Sequence, residues 1–268
     1  MLTRRQAHEL LERHGVRPSR ALGQNFVVDP NTVRRIVRVA GVEPGDRVVE
    51  VGAGLGALTL ALVEAKAQVT AVELDRHLIP LLEEVLAGVD PRPLVVQADA
   101  LALDWPSVLD PGERWQLVAN LPYNVATPLV LDVLDGVPQV DRMLVMVQRE
   151  VAERLASPPG SKTYGIPSVK VAYWADAEIV GRVGPTVFLP QPRVESALVR
   201  IVRRATPATD ADFDALFALV RAGFGHRRKM LRGALAGLVD VEAFDRAGIS
   251  PESRAEQLSV ADWGRLVQ

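Results

Sequence analysis

The chain has 268 residues, 48% of them hydrophobic, which is ample for one large domain plus a small one. It contains no cysteine, which excludes disulfides, thiolate zinc sites, iron–sulfur clusters and a cysteine nucleophile; His8, His14, His77 and His226 lack ligand spacing, so no metal site is expected. The net charge is −2, no apolar run approaches the roughly 20 residues of a membrane span, and the charged start Thr3-Arg4-Arg5-Gln6 has no signal-peptide core, so a cytoplasmic location with no membrane partner is expected.

Residues 3–14 read as a short helix, and Asp29-Pro30 opens a second, with an N-cap followed by proline in the first turn. Residues 1–40 hold eight arginines against Glu9, Glu12 and Asp29, a local charge of +5. Alternating strands and helices follow, with strands near 47–51, 68–72, 93–97, 115–119 and 142–147 separated by segments of helical period. That pattern predicts an α/β, doubly wound, Rossmann-like parallel sheet.

The turn Gly52-Ala53-Gly54-Leu55-Gly56 follows the first of these strands, and its glycines allow the backbone to approach a ligand and to take φ > 0. Gly52, Gly54 and Ala57 also satisfy the dinucleotide pattern, so the turn alone does not separate S-adenosylmethionine from NAD. Glu73 ends the second strand, where a carboxylate can accept both hydroxyls of a ribose. Asp99 follows the third, where an acceptor could meet an adenine amino group. With Asn120 after the fourth, these residues converge on one crevice at the strand ends.

Asn120-Leu121-Pro122-Tyr123 carries the most specific chemistry. An exocyclic amine is a poor nucleophile because its lone pair is delocalised, and two acceptors on its hydrogens would localise that pair without a strong base. The Asn120 side-chain oxygen is one such acceptor, and the carbonyl of Leu121, held extended before proline, is the other. Pro122 offers no N–H to compete. Tyr123 supplies a flat face for an extruded base, a stacking interaction of roughly 1–3 kcal/mol.

Residues 157–165, rich in Pro, Gly and Ser, read as a mobile loop beside the site. Alternation returns over 178–183 and 196–202, consistent with a closing antiparallel pair. After the linker 205–209 the pattern is helical, with Phe213, Leu216, Phe217 and Val220 on one face and Leu231, Leu235 and Leu238 continuing the stripe. The expected organisation is a catalytic domain over 1–205 and a small helical domain over 206–268. Residues 221–232 carry Arg221, Arg227, Arg228, Lys229 and Arg232 with no acid, a second patch of +5, which leaves −12 for the rest of the chain. Such polarity fits a protein that grips phosphates through two local patches. No long exposed heptad marks a dimer, so a monomer is expected.

Four ordered motifs resemble those of the small-subunit ribosomal RNA adenine dimethyltransferases, the KsgA family: Leu22-Gly23-Gln24-Asn25-Phe26, Glu50-Val51-Gly52-Ala53-Gly54, Asn120-Leu121-Pro122-Tyr123-Asn124, and the stretch from Phe188-Leu189-Pro190-Gln191-Pro192 to Arg193-Val194-Glu195-Ser196. The likeness runs from about residue 20 to Arg227-Arg228-Lys229. It implies a class I methyltransferase domain using S-adenosylmethionine, a small helical domain for the RNA substrate, and dimethylation of N6 on two adjacent adenosines in a hairpin near the 3′ end of 16S rRNA within an assembling 30S particle. The implied cofactor positions are Asn25, Val27, Gly52, Gly54, Glu73, Asp99 and Asn120. Val27 stands where the family usually has leucine, a change a backbone contact would survive, and Gly52-Ala53-Gly54 replaces the more frequent Gly-Pro-Gly. Tyr123 and Phe188 would sandwich the target base, with Arg221, Arg227, Arg228 and Lys229 on the RNA.

Three other readings stay open on sequence: a macrolide-resistance-type methyltransferase of large-subunit rRNA, a non-catalytic RNA-binding assembly factor, and an NAD-dependent oxidoreductase. The Asn-Leu-Pro-Tyr form and the Phe188–Ser196 stretch speak against the first, the intact Glu73, Asp99 and Asn120 set against the second, and the lack of a hydride-transfer acid or base after the fourth strand against the third.

Overall fold

In the computed structural model, which describes residues 1–267, the helix signals of the first forty residues act as the sequence predicts. Thr3 caps α1 (Arg4–Arg13) through a capping box with Gln6. Asp29 caps α2 (Pro30–Ala40), its carboxylate accepting the Thr32 N–H at 2.9 Å, and Gly41 ends the helix in the left-handed conformation. The two-residue strand β1 (Phe26–Val27) lies between them.

Strands and helices then alternate: β2 (Arg47–Val51), α3 (Ala57–Glu64), β3 (Gln68–Glu73), α4 (Ile79–Val85), β4 (Leu94–Gln97), α5 (Trp105–Val108), β5 (Trp115–Asn120), α6 (Ala126–Gly136) and β6 (Val140–Gln148). After α7 (Arg149–Leu155) and α8 (Ile166–Trp174) come β7 (Ala175–Val183), β8 (Phe188–Leu189) and β9 (Ser196–Arg203). Among the described residues the main sheet runs β4-β3-β2-β5-β6-β9-β7, and β1 pairs antiparallel with β8. The strands β4 to β6 are mutually parallel and β9 is antiparallel to β6.

Their apolar runs explain the burial: Val48, Val49, Leu117, Val118, Ala119, Val145 and Met146 are all inaccessible or nearly so, as strands covered on both faces require. The chain leaves β2 toward β3 and β4 on one side, then returns to place β5 and β6 on the other. The adjacent carboxyl ends of β2 and β5 therefore form the topological switch point, where open α/β sheets bind ligands. The predicted class, an α/β doubly wound sheet, is the observed one.

The chain divides into two compact units, Met1–Ala152 with Glu178–Val202, and Glu153–Ala177 with Arg203–Gln268. The helical unit is thus larger than the expected 206–268 segment. Residues 153–177 join it because Tyr164, Val169 and Tyr173 bury their side chains among Leu216, Phe217 and Trp263. Its other helices are α9 (Phe213–Gly225), α10 (Leu231–Ala234), α11 (Val241–Ala247) and α12 (Val260–Val267). α9 and α12 pack closely at Gly223, where an added Cβ would lie 2.6 Å from Trp263 Cη2.

Two expectations for this unit are corrected. Residues 157–165 are tied down rather than loose: Tyr164 is fully buried and donates to the Leu258 carbonyl at 3.0 Å, Gly160 N–H donates to Glu256 O at 2.7 Å, and Ser157 Oγ meets Thr163 Oγ1 at 2.6 Å. Leu238 is 59% exposed and outside the stripe of Leu231 and Leu235, because α10 stops at Ala234 and helical spacing no longer applies.

Candidate functional site

At the switch point the turn after β2 and the end of β5 meet closely. Gly52 has φ +75° and Gly54 φ +57°, values that L side chains resist. A Cβ on Gly52 would sit 3.3 Å from Pro122 Cδ and 3.7 Å from the Asn120 carbonyl, so this glycine is the point of close approach between the two motifs. Around them lies a cleft of about 820 Å³, open mouth included, lined by Leu22 to Phe26, the Gly52–Gly54 turn, Glu73, Leu74, Asp99, Leu101 and Asn120 to Val125.

Glu73 sits at the end of β3 with little exposure, which raises the pKa of its carboxyl. Backbone donors oppose that shift: Oε1 accepts the Asp75 N–H and Oε2 the Gly54 N–H, each at 2.8 Å. Each oxygen retains a lone pair, so the carboxylate can still take the two hydroxyls of a ribose. Asp99 follows β4, lines the same cleft, and accepts the Leu101 N–H at 3.0 Å. Leu74 is 48% and Leu101 41% exposed, two of the few large apolar side chains left open to solvent, and both border this cleft. They provide apolar walls for a flat ring beside those carboxylates.

Asn120 is the last residue of β5, and its Nδ2 donates to the Asn25 carbonyl at 2.9 Å. That bond occupies the amide nitrogen and leaves Oδ1 without a donor among the described residues, an available acceptor. The Leu121 carbonyl likewise receives no hydrogen bond there, while its N–H is held by Met146 O at 3.1 Å. Asn25 in turn donates to Gly23 O at 3.0 Å. Tyr123 is half-buried and shares a 3.2 Å hydrogen bond with the fully buried Ser196 Oγ; burial pushes the phenol pKa up, partly offset by that bond. No cluster of candidate metal ligands occurs among the described residues.

The structure thus gathers Asn25, Gly52, Gly54, Glu73, Asp99 and Asn120 to Tyr123 around one cleft. Two expectations fail, those for Phe188 and Arg227. Phe188 has no exposed surface: it pairs across β8 with Val27 and packs into the core, so its ring has no face to offer a base. Val27 buries its side chain in β1, which leaves its backbone, next in the chain to the cleft-lining residues Leu22 to Phe26, for the contact expected of it. In the helical unit, Arg221, Arg228 and Lys229 are exposed, but the Arg227 guanidinium is engaged by Glu256 at 2.6 Å and by the Lys162 carbonyl at 2.8 Å, and is not a free phosphate ligand.

The amino-terminal patch is also less free than its charge count implies, since Arg5 pairs with Glu9, Arg13 with Glu84, and Arg34 with Glu64.

Sequence reasoning missed Leu74, Leu101, Gln24 and Ser196. Gln24 Nε2 donates to Asp75 Oδ2 and its Oε1 accepts the Ser19 N–H, at 2.8 and 2.7 Å, tying residues 19–24 to the end of β3. Gln24 and Ser196 lie inside the family-like motifs but carry no local signal of a role, and the leucines carry only their positions one and two residues after a site acid.

The model of one protein family, ribosomal RNA adenine dimethylase, matches residues 16–268. The chain belongs to the ribosomal RNA adenine dimethylase family. Among curated members it is 51% identical to ribosomal RNA small subunit methyltransferase A of Kineococcus radiotolerans, across 99% of this chain and 90% of that one. It is 48% identical to the protein of the same name from Thermobifida fusca, across 100% and 96%. Solved structures agree in fold: a dimethyladenosine transferase from Plasmodium falciparum (TM-score 0.76, 22% identity, 90% of this chain and 95% of that one) and the 23S rRNA methyltransferase ErmE (TM-score 0.69, 28% identity, 91% and 98%). A class I methyltransferase architecture is thereby shared across this dimethylase family and its neighbours.

Proposed function

We propose that the chain uses S-adenosylmethionine to dimethylate N6 of two adjacent adenosines near the 3′ end of small-subunit rRNA, acting as a monomer in the cytoplasm on a 30S particle under assembly. The observation that carries this reading is the pair of open acceptors, Asn120 Oδ1 and the Leu121 carbonyl, at the carboxyl end of β5 beside the Gly52 turn. Relatives near 50% identity that are named for the small subunit favour it over the large-subunit activity for which ErmE is named.

The residues fit the cofactor: Glu73 retains acceptors for a ribose, Leu74 and Leu101 flank space for an adenine with Asp99 at its edge, and the bare Gly52–Gly54 backbone leaves room above the strand. When bound, S-adenosylmethionine would supply an electrophilic methyl on a sulfonium, whose sulfur departs with the bonding pair as a neutral thioether. The chain's own task is then positioning. In the first transfer Asn120 Oδ1 and the Leu121 carbonyl would accept the two N6 hydrogens and in the second the one that remains, which turns the nitrogen lone pair toward the methyl donor, the proton lost at each transfer passing to solvent. Tyr123 stacks on the adenine while Ser196 fixes its ring. The sheet-bearing unit is the catalytic domain and the helical unit the RNA-substrate domain, with Arg221, Arg228 and Lys229 on phosphates.

The test is nucleoside mass spectrometry of unmodified small-subunit particles incubated with this protein and S-adenosylmethionine. Dimethyladenosine is the expected product; monomethyladenosine alone, or methylation confined to large-subunit RNA, contradicts the reading. In the same assay Asn120→Ala loses at least about a hundredfold in turnover, the scale of a removed electrostatic donor or acceptor at a reacting centre, and unchanged turnover would refute its catalytic role.

A further inference from the structure

The cleft beside Tyr123 continues into a second, of about 990 Å³ with its mouth included, and the two share Gly23, Gln24, Asn25, Tyr123 and Asn124. One wall of the second is the turn carrying Arg20; the other is the loop after β8, which carries Arg193. Two cations and no acid line it. Neither guanidinium has a hydrogen-bond or ion-pair partner among the described residues, in contrast to three other arginines of the same unit. Arg4 donates to the Thr186 and Phe188 carbonyls, Arg13 to Glu84, and Arg149 to Glu195 at 3.1 Å. Glu195, two residues from Arg193, is thereby already engaged.

A base stacked on Tyr123 must lead its sugar and phosphates out of the site. The first cleft offers Glu73 and Asp99, which repel phosphate, while the second offers two planar donors whose geometry suits it. We propose that the groove between Arg20 and Arg193 binds the backbone phosphates flanking the target adenosine, one arginine to each side. The assignment rests on the reading of Tyr123 as the platform for that adenosine. Gln24, which ties residues 19–24 to Asp75, holds the Arg20 turn in place.

The experiment compares the full-length wild type with R20Q, R193Q, the double variant, and R114Q as a charge-matched control; Arg114 is paired with Asp141 where the chain enters β5, at the opposite end of that strand. Methyl transfer to unmodified small-subunit particles is followed against RNA concentration and salt, and S-adenosylmethionine affinity by calorimetry. The double variant raises the KM for RNA at least about tenfold and flattens the log–log salt dependence by about 1.4, since each single-strand phosphate contact contributes about 0.7. Cofactor affinity stays at the wild-type value, and R114Q matches the wild type in all respects. Wild-type KM and salt slope in the double variant overturn the groove while leaving the site intact. Absence of transfer by the wild type overturns the reading of the site, and the groove with it.

Discussion

Glu50 provides a test of how the turn is supported. It is wholly buried in β2 beneath the glycines, and its Oε2 accepts the Thr59 hydroxyl at 2.6 Å. Burial pushes its carboxyl from an ordinary 4.5 up to about 8; the Thr59 bond opposes the shift, and the charge of Glu73 adds to it. The folded pKa lies above the unfolded one, so Glu50 adds no penalty to folding below about pH 4.5, an increasing one as pH rises toward 8, and a constant one beyond. At about 1.36 kcal/mol per unit, the penalty is about 3 kcal/mol at pH 7 and about 5 kcal/mol at its plateau.

Glu50→Gln keeps an oxygen for Thr59 and has nothing to ionise. Denaturant unfolding of both proteins at pH 4.5, 7 and 9 should therefore show the stability difference moving in favour of glutamine by those amounts. A fixed packing cost of the amide drops out of the comparison. Parallel pH profiles, or a gap that moves against glutamine as pH rises, would refute the reasoning, because they would mean that Glu50 is held as an anion.

Two substitutions at the site separate its parts. Gly54→Ala places a Cβ 2.8 Å from Phe26 Cδ1 at a φ of +57°; left-handed strain of about 1–2 kcal/mol plus the displaced ring should weaken S-adenosylmethionine binding at least about tenfold by calorimetry, and an undiminished affinity would place the turn outside the cofactor site. Tyr123→Ala should raise the KM for RNA by roughly 1–3 kcal/mol of lost stacking with cofactor affinity intact, while Tyr123→Phe, which loses only the Ser196 bond, stays near wild type; equal losses in RNA and cofactor binding by Tyr123→Ala would make the tyrosine structural.

What could be read from the sequence was local or periodic. The first helix, the α2 cap, the five parallel strands and the glycine turn follow from neighbours within a few residues, and a strand-end rule then brings Gly52, Glu73, Asp99 and Asn120 together without any long-range information. Phe188 failed for the opposite reason: its exposure depends on β8 pairing with β1, a contact across some 160 positions that no local pattern encodes. Arg227 and the amino-terminal arginines failed similarly, because Glu256, Glu84 and Glu64 are distant in sequence and a charge count assumes that cations are free. Leu238 was lost to a helix that ended one turn early. The assignment of 153–177 to the helical unit depends on aromatic side chains finding Trp263 and Phe217, again a long-range event.

The buried acids near the turn also fit one another. A cofactor with a sulfonium centre gains from negative potential, yet two ionised carboxylates close together in an apolar sheet would repel and destabilise the fold. The chain separates their environments. Glu73 has two backbone N–H groups on its oxygens, which stabilise the anion against burial, whereas Glu50 has one hydroxyl and complete burial, which do not. With Glu50 near 8, the Glu50 carboxyl is mostly neutral at pH 7, and Glu73's charge helps to keep it so. The net result is a neutral hydrogen-bonding strut, Glu50, behind a cleft wall that carries Glu73 and Asp99. The turn is therefore braced by polar contacts without stacking a further negative charge under a site whose second cleft must accept phosphates.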